Sequence, residues 1–337
     1  MEIARDHVYS ESIRGYQISP YMQEKMVYAA QTNCYAESSE ILEMLLGITV
    51  STTQIQRVAN TYGSLIEQEA IAAQTQAQES MPVEINKEDV IYAQADGSMI
   101  LTREDSWKEV KVGRIFKGSD CMSMGKSQER GWIKSSLYEA YLGDYRQFTH
   151  RFENKLDDYS MLGHRLIFIT DGATWIKNWM TETYPKATQI LDWFHCKEHL
   201  CQFAEIYFDD KWQRSNWIEM QSDLLYDSQT EQVLENIGSL YNLNADKRKA
   251  KEQLLTYYQS NSYRMDYKRY RTLGAGIIGS GAIEAAHRTV IQKRMKLSGQ
   301  RWSIKGAQNM IQVRATKLSG NWSHIVDLIK NPMTYAA

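Results

Sequence analysis

The sequence lacks long apolar runs and contains few cysteines. No stretch of its 337 residues approaches the ~18 to 20 consecutive apolar residues that cross a bilayer, which argues against a membrane-spanning protein. The first residues, MEIARDHVYSESIRGYQ, carry acids and no apolar core of the kind found in secretory signals. The four cysteines form no CxxC pair, so we expect reduced thiols in a cytosolic protein and no disulfide framework.

Acidic residues are also missing from one long stretch near the carboxyl end. The formal net charge of −2 is unfavourable for a nucleic-acid partner, but the charges are unevenly placed. Residues 1–80 hold ten Asp/Glu and four Lys/Arg, whereas residues 285–326 hold eight Lys/Arg and no acid. A phosphate backbone responds to local charge, so a DNA-binding face is compatible with this composition.

The amino-terminal region has the apolar spacing of helices. SPYMQEKMVYAA and ESSEILEMLLG place apolar residues three and four positions apart. Gly47 suits a turn, and Ser51 is a good N-cap for a helix from Thr52. This pattern is typical of a helix-turn-helix, whose second helix would present Thr53, Gln54, Arg57 and Asn60. The alternative is a helical hairpin that packs or dimerises.

The middle of the chain predicts a mixed α/β domain. DVIYAQADGSMILT and WKEVKVGRIF alternate apolar and polar residues, as neighbouring antiparallel strands do. HRLIFITDGATWIKNWM and ATQILDWFHCKEHL each have the pattern of a buried strand followed by a helix, which implies a largely buried sheet. Helical spacing from about His199 to Arg271 predicts an all-helical insertion, and the chain is helical again after Gly279, with a break near LSGQRW.

Three acids stand out by their context. Asp96 and Asp171 are each expected at the end of a strand, and Glu284 opens the late helix in GSGAIEAAHRTVIQKR. Acids at the carboxyl ends of strands face the crevice where α/β proteins bind ligands. Three such carboxylates could hold two Mg²⁺ or Mn²⁺ ions ~3.5 to 4 Å apart, an arrangement suited to in-line displacement at phosphorus. Alternatively, Asp-Gly marks ordinary turns and Glu284 complements a helix dipole.

These segments resemble the DDE catalytic core of bacterial insertion-sequence transposases, most closely the ISKra4-like group. The resemblance covers about Val90 to Ser319 and is carried by QADGSMI, FITDGATWI and GSGAIEAAHRTVIQKRMKLSGQRW. It implies a ribonuclease H-like fold with Asp96 on the first strand, Asp171 after the fourth and Glu284 on a late helix. It also implies cleavage at transposon ends with two Mg²⁺ or Mn²⁺ ions per active site, then strand transfer into target DNA.

A histidine near the last strand is a further candidate. LDWFHCKEHL is similar to the D/CxxH motif of related transposases, which would make Asp192 and His195 its members. His195 then either contacts or protonates a group near the scissile phosphate, or is a hydrogen-bonded structural histidine. The spacing of His195, Cys196, His199 and Cys201 matches no ordinary zinc finger, so no zinc site is predicted.

Basic residues interleaved with aromatics predict DNA contacts. SYRMDYKRYRTLG places Tyr263, Tyr267 and Tyr270 among bases, and KRMKLSGQRWSIKG adds further positive charge, although a solvated helix face is the alternative. Trp302, which lies among apolar residues, is expected in the core. The predicted DNA-binding residues are Thr53, Gln54, Arg57, Arg264, Lys268, Arg269, Arg271, Arg288, Lys293, Arg294, Lys296, Arg301 and Lys305.

The predicted protein is a cytoplasmic, nucleoid-associated bacterial transposase that acts on double-stranded DNA as a homodimer or higher oligomer. Its expected parts are an HTH-like DNA-binding or assembly domain (1–66), a helix and linker loosening near Met81-Pro82 (67–88), the first part of the catalytic core (89–198), the helical insertion (199–278) and the last core helices with the basic segment (279–337). Two alternatives remain: a catalytically inactive DNA-binding derivative, or a ribonuclease H-like nuclease or resolvase without strand transfer.

Overall fold

The computed structural model describes residues 18–75, 89–124, 130–241 and 244–331. The described residues begin with three helices: α1 (Pro20–Ala30), α2 (Tyr35–Leu46) and α3 (Thr52–Thr75). Gly47 has a φ of 65° and ends α2 in the left-handed region, which glycine adopts without strain. The Ser51 hydroxyl accepts the Gln54 amide at 3.2 Å, which confirms the predicted N-cap of α3. The linker expected near Met81-Pro82 lies outside the described residues.

A five-stranded mixed sheet forms the centre of the fold. The strands among the described residues are β1 (Ile91–Leu101), β2 (Trp107–Lys117), β3 (Cys121–Met124), β4 (Arg130–Ile133), β5 (Leu137–Leu142), β6 (Leu166–Thr170) and β7 (Thr188–Leu191). The sheet order is β5-β2-β1-β6-β7, while β3 and β4 form a separate hairpin. Strands β1, β2 and β5 are antiparallel, and β1, β6 and β7 are parallel. The predicted antiparallel β1–β2 pair and mixed α/β class are confirmed.

Helices cover both faces of the sheet. They are α4 (Tyr145–Leu156), α5 (Thr174–Thr183), α6 (Trp193–Tyr207), α7 (Lys211–Tyr226), α8 (Thr230–Gly238), α9 (Ala245–Asn261), α10 (Tyr267–Tyr270), α11 (Gly281–Ala286), a π-helical turn (His287–Gln292), α12 (Lys293–Met295), α13 (Ile304–Leu318) and α14 (Trp322–Lys330). The described part of 199–278 is helical and contains no strand. The predicted boundaries at residues 66 and 198 fall inside α3 and α6. Within the described ranges, no helix is long and apolar enough to cross a membrane.

The amino-terminal helices share their hydrophobic core with the carboxyl-terminal ones. Met26 and Ile55 belong to the same buried cluster as Val110 of the sheet and Met310 of α13. A Cβ on Gly63 would overlap the backbone carbonyl of α13, so α3 and α13 cross at very short range. The helix-turn-helix candidate is therefore fixed against the rest of the molecule by apolar packing.

Candidate active site

Asp96 and Asp171 lie at the same edge of the sheet. The prediction that Asp96 ends its strand is wrong, because β1 continues to Leu101 and pairs Asp96 with Val112 of β2. The parallel pairing of β1 with β6, however, stops at Gln94 opposite Ile169. Continuing that register by two residues brings Asp96 level with Asp171, which directly follows β6. Both residues therefore lie two positions beyond the last residues that β1 and β6 pair.

The start of α11, the helix that carries Glu284, is clamped to β1 and β2. Gln94 is fully buried; its amide nitrogen donates to the Gly279 carbonyl at 3.1 Å and its oxygen accepts the Ile283 amide at 2.7 Å. Arg114 lies opposite Gln94 on β2 and donates to the carbonyl of residue 282 at 2.7 Å. Neither Gln94 nor Arg114 had been predicted as a site residue, although Gln94 opens the QADGSMI segment. The available signal was an amide two residues before Asp96, on the same side of a buried strand.

The helix bearing Glu284 also reaches Asp96. Glu284 is exposed and accepts a hydrogen bond from the Ser280 hydroxyl at 2.9 Å. His287 lies three residues later, hence on the same helix face, and its Nε2 is 3.2 Å from Oδ2 of Asp96. His287 had not been predicted, although its spacing from Glu284 was visible in the sequence. The helix and the first strand therefore meet at an imidazole–carboxylate contact.

The surroundings of Asp96 favour its ionised form. Burial opposes ionisation, but the His287 contact, the Gly97 amide at 2.7 Å from Oδ1 and the charge of His195 outweigh it. Together they hold the pKa of Asp96 below its usual value. The group is therefore a carboxylate at neutral pH.

Asp192 and His195 form a second, tightly bonded pair. Asp192 is fully buried at the start of α6, and its oxygens accept the amides of Phe194 and His195 at 3.2 Å and that of Ser280 at 2.7 Å. Its Oδ2 lies 2.6 Å from Nδ1 of His195. This bond, helped by the negative charge of Asp171, raises the pKa of His195 to about 9. A half-exposed imidazolium therefore stands beside the carboxylates, and Ser280 ties α6 to the segment before Glu284.

The predicted three-carboxylate metal centre is not assembled in this conformation. Across the described ranges, no three His, Cys, Asp or Glu side chains lie close enough to hold one metal ion. Asp171 accepts the Ala173 amide at 3.0 Å, and Glu284 accepts the Ser280 hydroxyl. Asp96 and His287 do stand together, with His287 buried. Carboxylate oxygens at one sheet edge suit a divalent cation, provided that Asp171 and Glu284 exchange their local partners for it.

Most of the predicted DNA-binding residues are exposed. Those at the start of α3 are Thr53, Gln54 and Arg57, and those of the later segments are Lys268, Arg269, Arg288, Lys293, Lys296, Arg301 and Lys305. Lys296 also donates to the Ser98 hydroxyl at 2.6 Å, which brings it close to Asp96 on β1. A positive surface therefore runs from the late helices to the candidate site.

Two predicted DNA contacts are wrong because the side chains are fully buried. Arg264 donates to the Asp171 carbonyl at 3.0 Å and to the Thr170 hydroxyl at 3.2 Å. Arg294 donates to a carbonyl of α1 and lies over the Trp302 ring at 4.8 Å. Arg271 is half-buried and donates to the Tyr226 carbonyl at 2.9 Å. Arg264 instead supports the strand end from which Asp171 projects.

The aromatic residues of the basic segments also divide into buried and exposed side chains. Tyr267 and Tyr270, considered above as base-stacking residues, are buried, whereas Tyr263 is exposed. Trp302 is buried, which confirms its expected place in the core. Of the three tyrosines, only Tyr263 has a ring available for stacking on a nucleic-acid base.

Comparison with known proteins identifies relatives of undescribed activity. The model of an uncharacterised protein family, UPF0236, matches residues 11–331. A curated protein of Streptococcus gallolyticus, described as "UPF0236 protein in vanSb 3'region", is 24% identical over 314 residues. The match covers 90% of this chain and 64% of that relative, so the chain spans less than two thirds of the relative's length.

Proposed function

The chain belongs to the uncharacterised protein family UPF0236, and we propose that it is a DDE-type transposase of bacterial insertion sequences with a ribonuclease H-like core. The observation that carries the proposal is that the parallel pairing of β1 with β6 ends two residues before both Asp96 and Asp171, with the Glu284 helix clamped to β1 at the same point. The sheet order β5-β2-β1-β6-β7 puts β1 at the centre, between β2 and β6. This order agrees with a ribonuclease H-like fold. The sequence resemblance to the ISKra4-like group supports the same conclusion.

The side chains have distinct parts in the proposed reaction. Asp96 and Asp171 lie at one edge of the sheet and Glu284 lies on the helix beside it, and their carboxylate oxygens would hold two Mg²⁺ or Mn²⁺ ions. When bound, such ions activate the attacking oxygen and stabilise the leaving one. His195 carries a proton on Nε2 while Asp192 holds Nδ1, so its positive charge faces a scissile phosphate and stabilises the negative charge that develops there.

The proposed substrate is double-stranded DNA at the ends of a mobile element. Exposed bases on the segments after Glu284 and on α3 would bind its phosphates, and the homodimer or higher oligomer expected for transposition would hold two ends together. Arg264 and Arg294 have no part in this surface. Because α3 packs tightly against α13, the distance between the exposed residues of α3 and the candidate active site is fixed. Bound DNA would therefore contact both at a constant spacing along the duplex.

The experiment that tests the proposal is cleavage of a supercoiled plasmid carrying the element's terminal repeats, with purified full-length protein and Mg²⁺. Asp171→Asn should bind the DNA within threefold of the wild-type affinity but lose at least a hundredfold in nicking rate. Asp105→Asn, at an exposed residue paired with Lys108, is the matched control and should cleave normally. Wild-type cleavage rates with Asp171→Asn would disprove the assigned site.

One observation favours a second function. Because no three metal-ligating side chains are assembled in the described residues, a catalytically inactive DNA-binding protein derived from such an enzyme is the competing proposal. That protein would bind the repeats without nicking them in either Mg²⁺ or Mn²⁺. If nicking occurs, joining of a labelled 3′ end to a target plasmid separates a transposase from a nuclease or resolvase of the same fold.

A further inference from the structure

His287 is buried, and within the described ranges its ring makes no well-aligned hydrogen bond. Its side chain is 7% exposed, and neither ring nitrogen has a hydrogen-bond partner among the described residues. Buried polar groups in proteins nearly always have one, so an unsatisfied imidazole indicates a missing partner. Its Nε2 is directed at the half-exposed carboxylate of Asp96, at an ion-pair distance without the alignment of a hydrogen bond.

The separation of the two atoms is that of neighbouring metal ligands. In an octahedral site with bonds of ~2.1 Å, adjacent ligand atoms lie ~3 Å apart. Nε2 of His287 and Oδ2 of Asp96 are 3.2 Å apart. We propose that these two atoms bind one divalent cation, with DNA phosphate and water at its remaining positions. This inference rests on the proposed function and adds to it a nitrogen ligand that the three-carboxylate arrangement lacks.

The local backbone supports a binding role for this residue. His287 is the first residue of a π-helical turn, a distortion found often at functional sites, and it follows Glu284 by three residues. Glu284 and His287 therefore lie on one helix face, and His287 contacts β1 through Asp96. Glu284 can join the same ion by giving up its bond to the Ser280 hydroxyl.

The donor set determines which cation is preferred. Mg²⁺ takes oxygen ligands almost exclusively, whereas imidazole nitrogen suits first-row transition metals. A site with one carboxylate and one imidazole should therefore select Mn²⁺ over Mg²⁺. That preference is a property of the protein alone and can be measured without DNA.

The test is Mn²⁺ binding to the full-length protein, followed by electron paramagnetic resonance. Wild-type protein should bind Mn²⁺ with ¹⁴N modulation of the spin echo from a histidine. His287→Ala should lose that modulation and bind at least tenfold more weakly. His287→Gln, which places an amide oxygen near the position of Nε2, should also lose the modulation and shift the preference for Mn²⁺ over Mg²⁺ at least fivefold toward Mg²⁺. His324→Gln changes another imidazole–carboxylate pair, with Glu69, and is the control expected to behave as wild type.

The outcomes separate the inference from the proposed function. The inference is wrong, and the proposed function stands, if both His287 variants keep the ¹⁴N modulation and the Mn²⁺ affinity of the wild type. The same holds if the wild-type protein nicks DNA with Mn²⁺ but shows no ¹⁴N modulation. A His287-dependent modulation in a protein that nicks no DNA supports the site and overturns the function. If His287→Ala is unfolded by circular dichroism, His287→Gln and Asp96→Asn decide the question, since both should weaken Mn²⁺ binding.

Discussion

The Asp192–His195 pair should keep His195 positively charged well above neutral pH. The perturbation is Asp192→Asn, which retains a side chain of the same size but removes the negative charge 2.6 Å from Nδ1. In the folded protein the pKa of His195 is raised to about 9, against ~6.5 for an unperturbed histidine. Because the Asp192 hydrogen bond is the largest cause of the raised pKa, we expect the substitution to lower the pKa of His195 back toward the value of an unperturbed histidine.

The magnitude follows from the difference between the two pKa values. The two pKa values differ by about 2.5, and at about 1.36 kcal/mol for each pKa unit this corresponds to about 3.4 kcal/mol of stabilisation of the folded protein. The His195 side chain is 41% exposed, so solvent screening reduces this contribution to about 1.5 kcal/mol. Because the folded pKa is raised, the stabilisation is fully present below pH ~6.5 and is lost as the pH rises through about 9. The free energy of unfolding of the wild type should therefore fall across that window.

The assay is an NMR titration of the histidine ¹³Cε1–¹Hε1 signals. The His195 signal is assigned by its disappearance in His195→Gln, a variant that also lacks the titrating group and should show no such decline in stability above pH 7. An increase in DNA nicking with His195 protonation would connect the charge to the reaction. A wild-type pKa near 6.5, or one that Asp192→Asn leaves unchanged, would refute the reasoning.

Two further substitutions test the packing that supports the site. Gly63→Ala should destabilise the protein by about 2 to 3 kcal/mol, because the added methyl group overlaps backbone of α13. Gly238→Ala is its control and should cost under about 0.5 kcal/mol, because the new methyl group meets no other described part of the fold within 4 Å. Denaturant unfolding compares the two variants. Arg264→Met should lower the melting temperature and reduce nicking at least tenfold, since it removes the donors that hold the carbonyl of Asp171. Lys268→Met, at an exposed base in the same segment, is its control for stability, and equal melting temperatures for the two variants would contradict the assigned role.

The alternation of side chains predicted the strands well, but it misplaced Asp96. Asp-Gly usually marks a turn, so QADGS indicated the end of a strand. In the fold, β2 pairs with β1 through this point, with Asp96 opposite Val112 and Gly97 opposite Lys111. Pairing with a long neighbouring strand therefore overrides the local turn preference. What ends near Asp96 is the parallel contact with β6, which a single-strand pattern does not reveal.

Charge patterns were a poor guide to exposure in the basic segments. SYRMDYKRYRTLG was interpreted as a DNA-binding surface, yet Arg264, Tyr267 and Tyr270 are buried. The reason is that α10 covers only residues 267–270, too short for an apolar stripe to show in the sequence. Arg264 is buried because the end of β6 offers it a carbonyl and a hydroxyl, and such partners are distant in the chain.

The same distance explains why the acids could be found while the residues that position them could not. Asp171 and Glu284 stand out because carboxylates are unusual after a buried strand or within a basic helix. Gln94 is an ordinary polar residue until the fold sets it against Gly279 and Ile283, some 185 residues away. Its two hydrogen bonds go to backbone atoms, which carry no side-chain signature. The location of Glu284 therefore depends on the sheet itself, and a change at Gln94 would displace the carboxylate while leaving Asp96, Asp171 and Glu284 unchanged in the sequence.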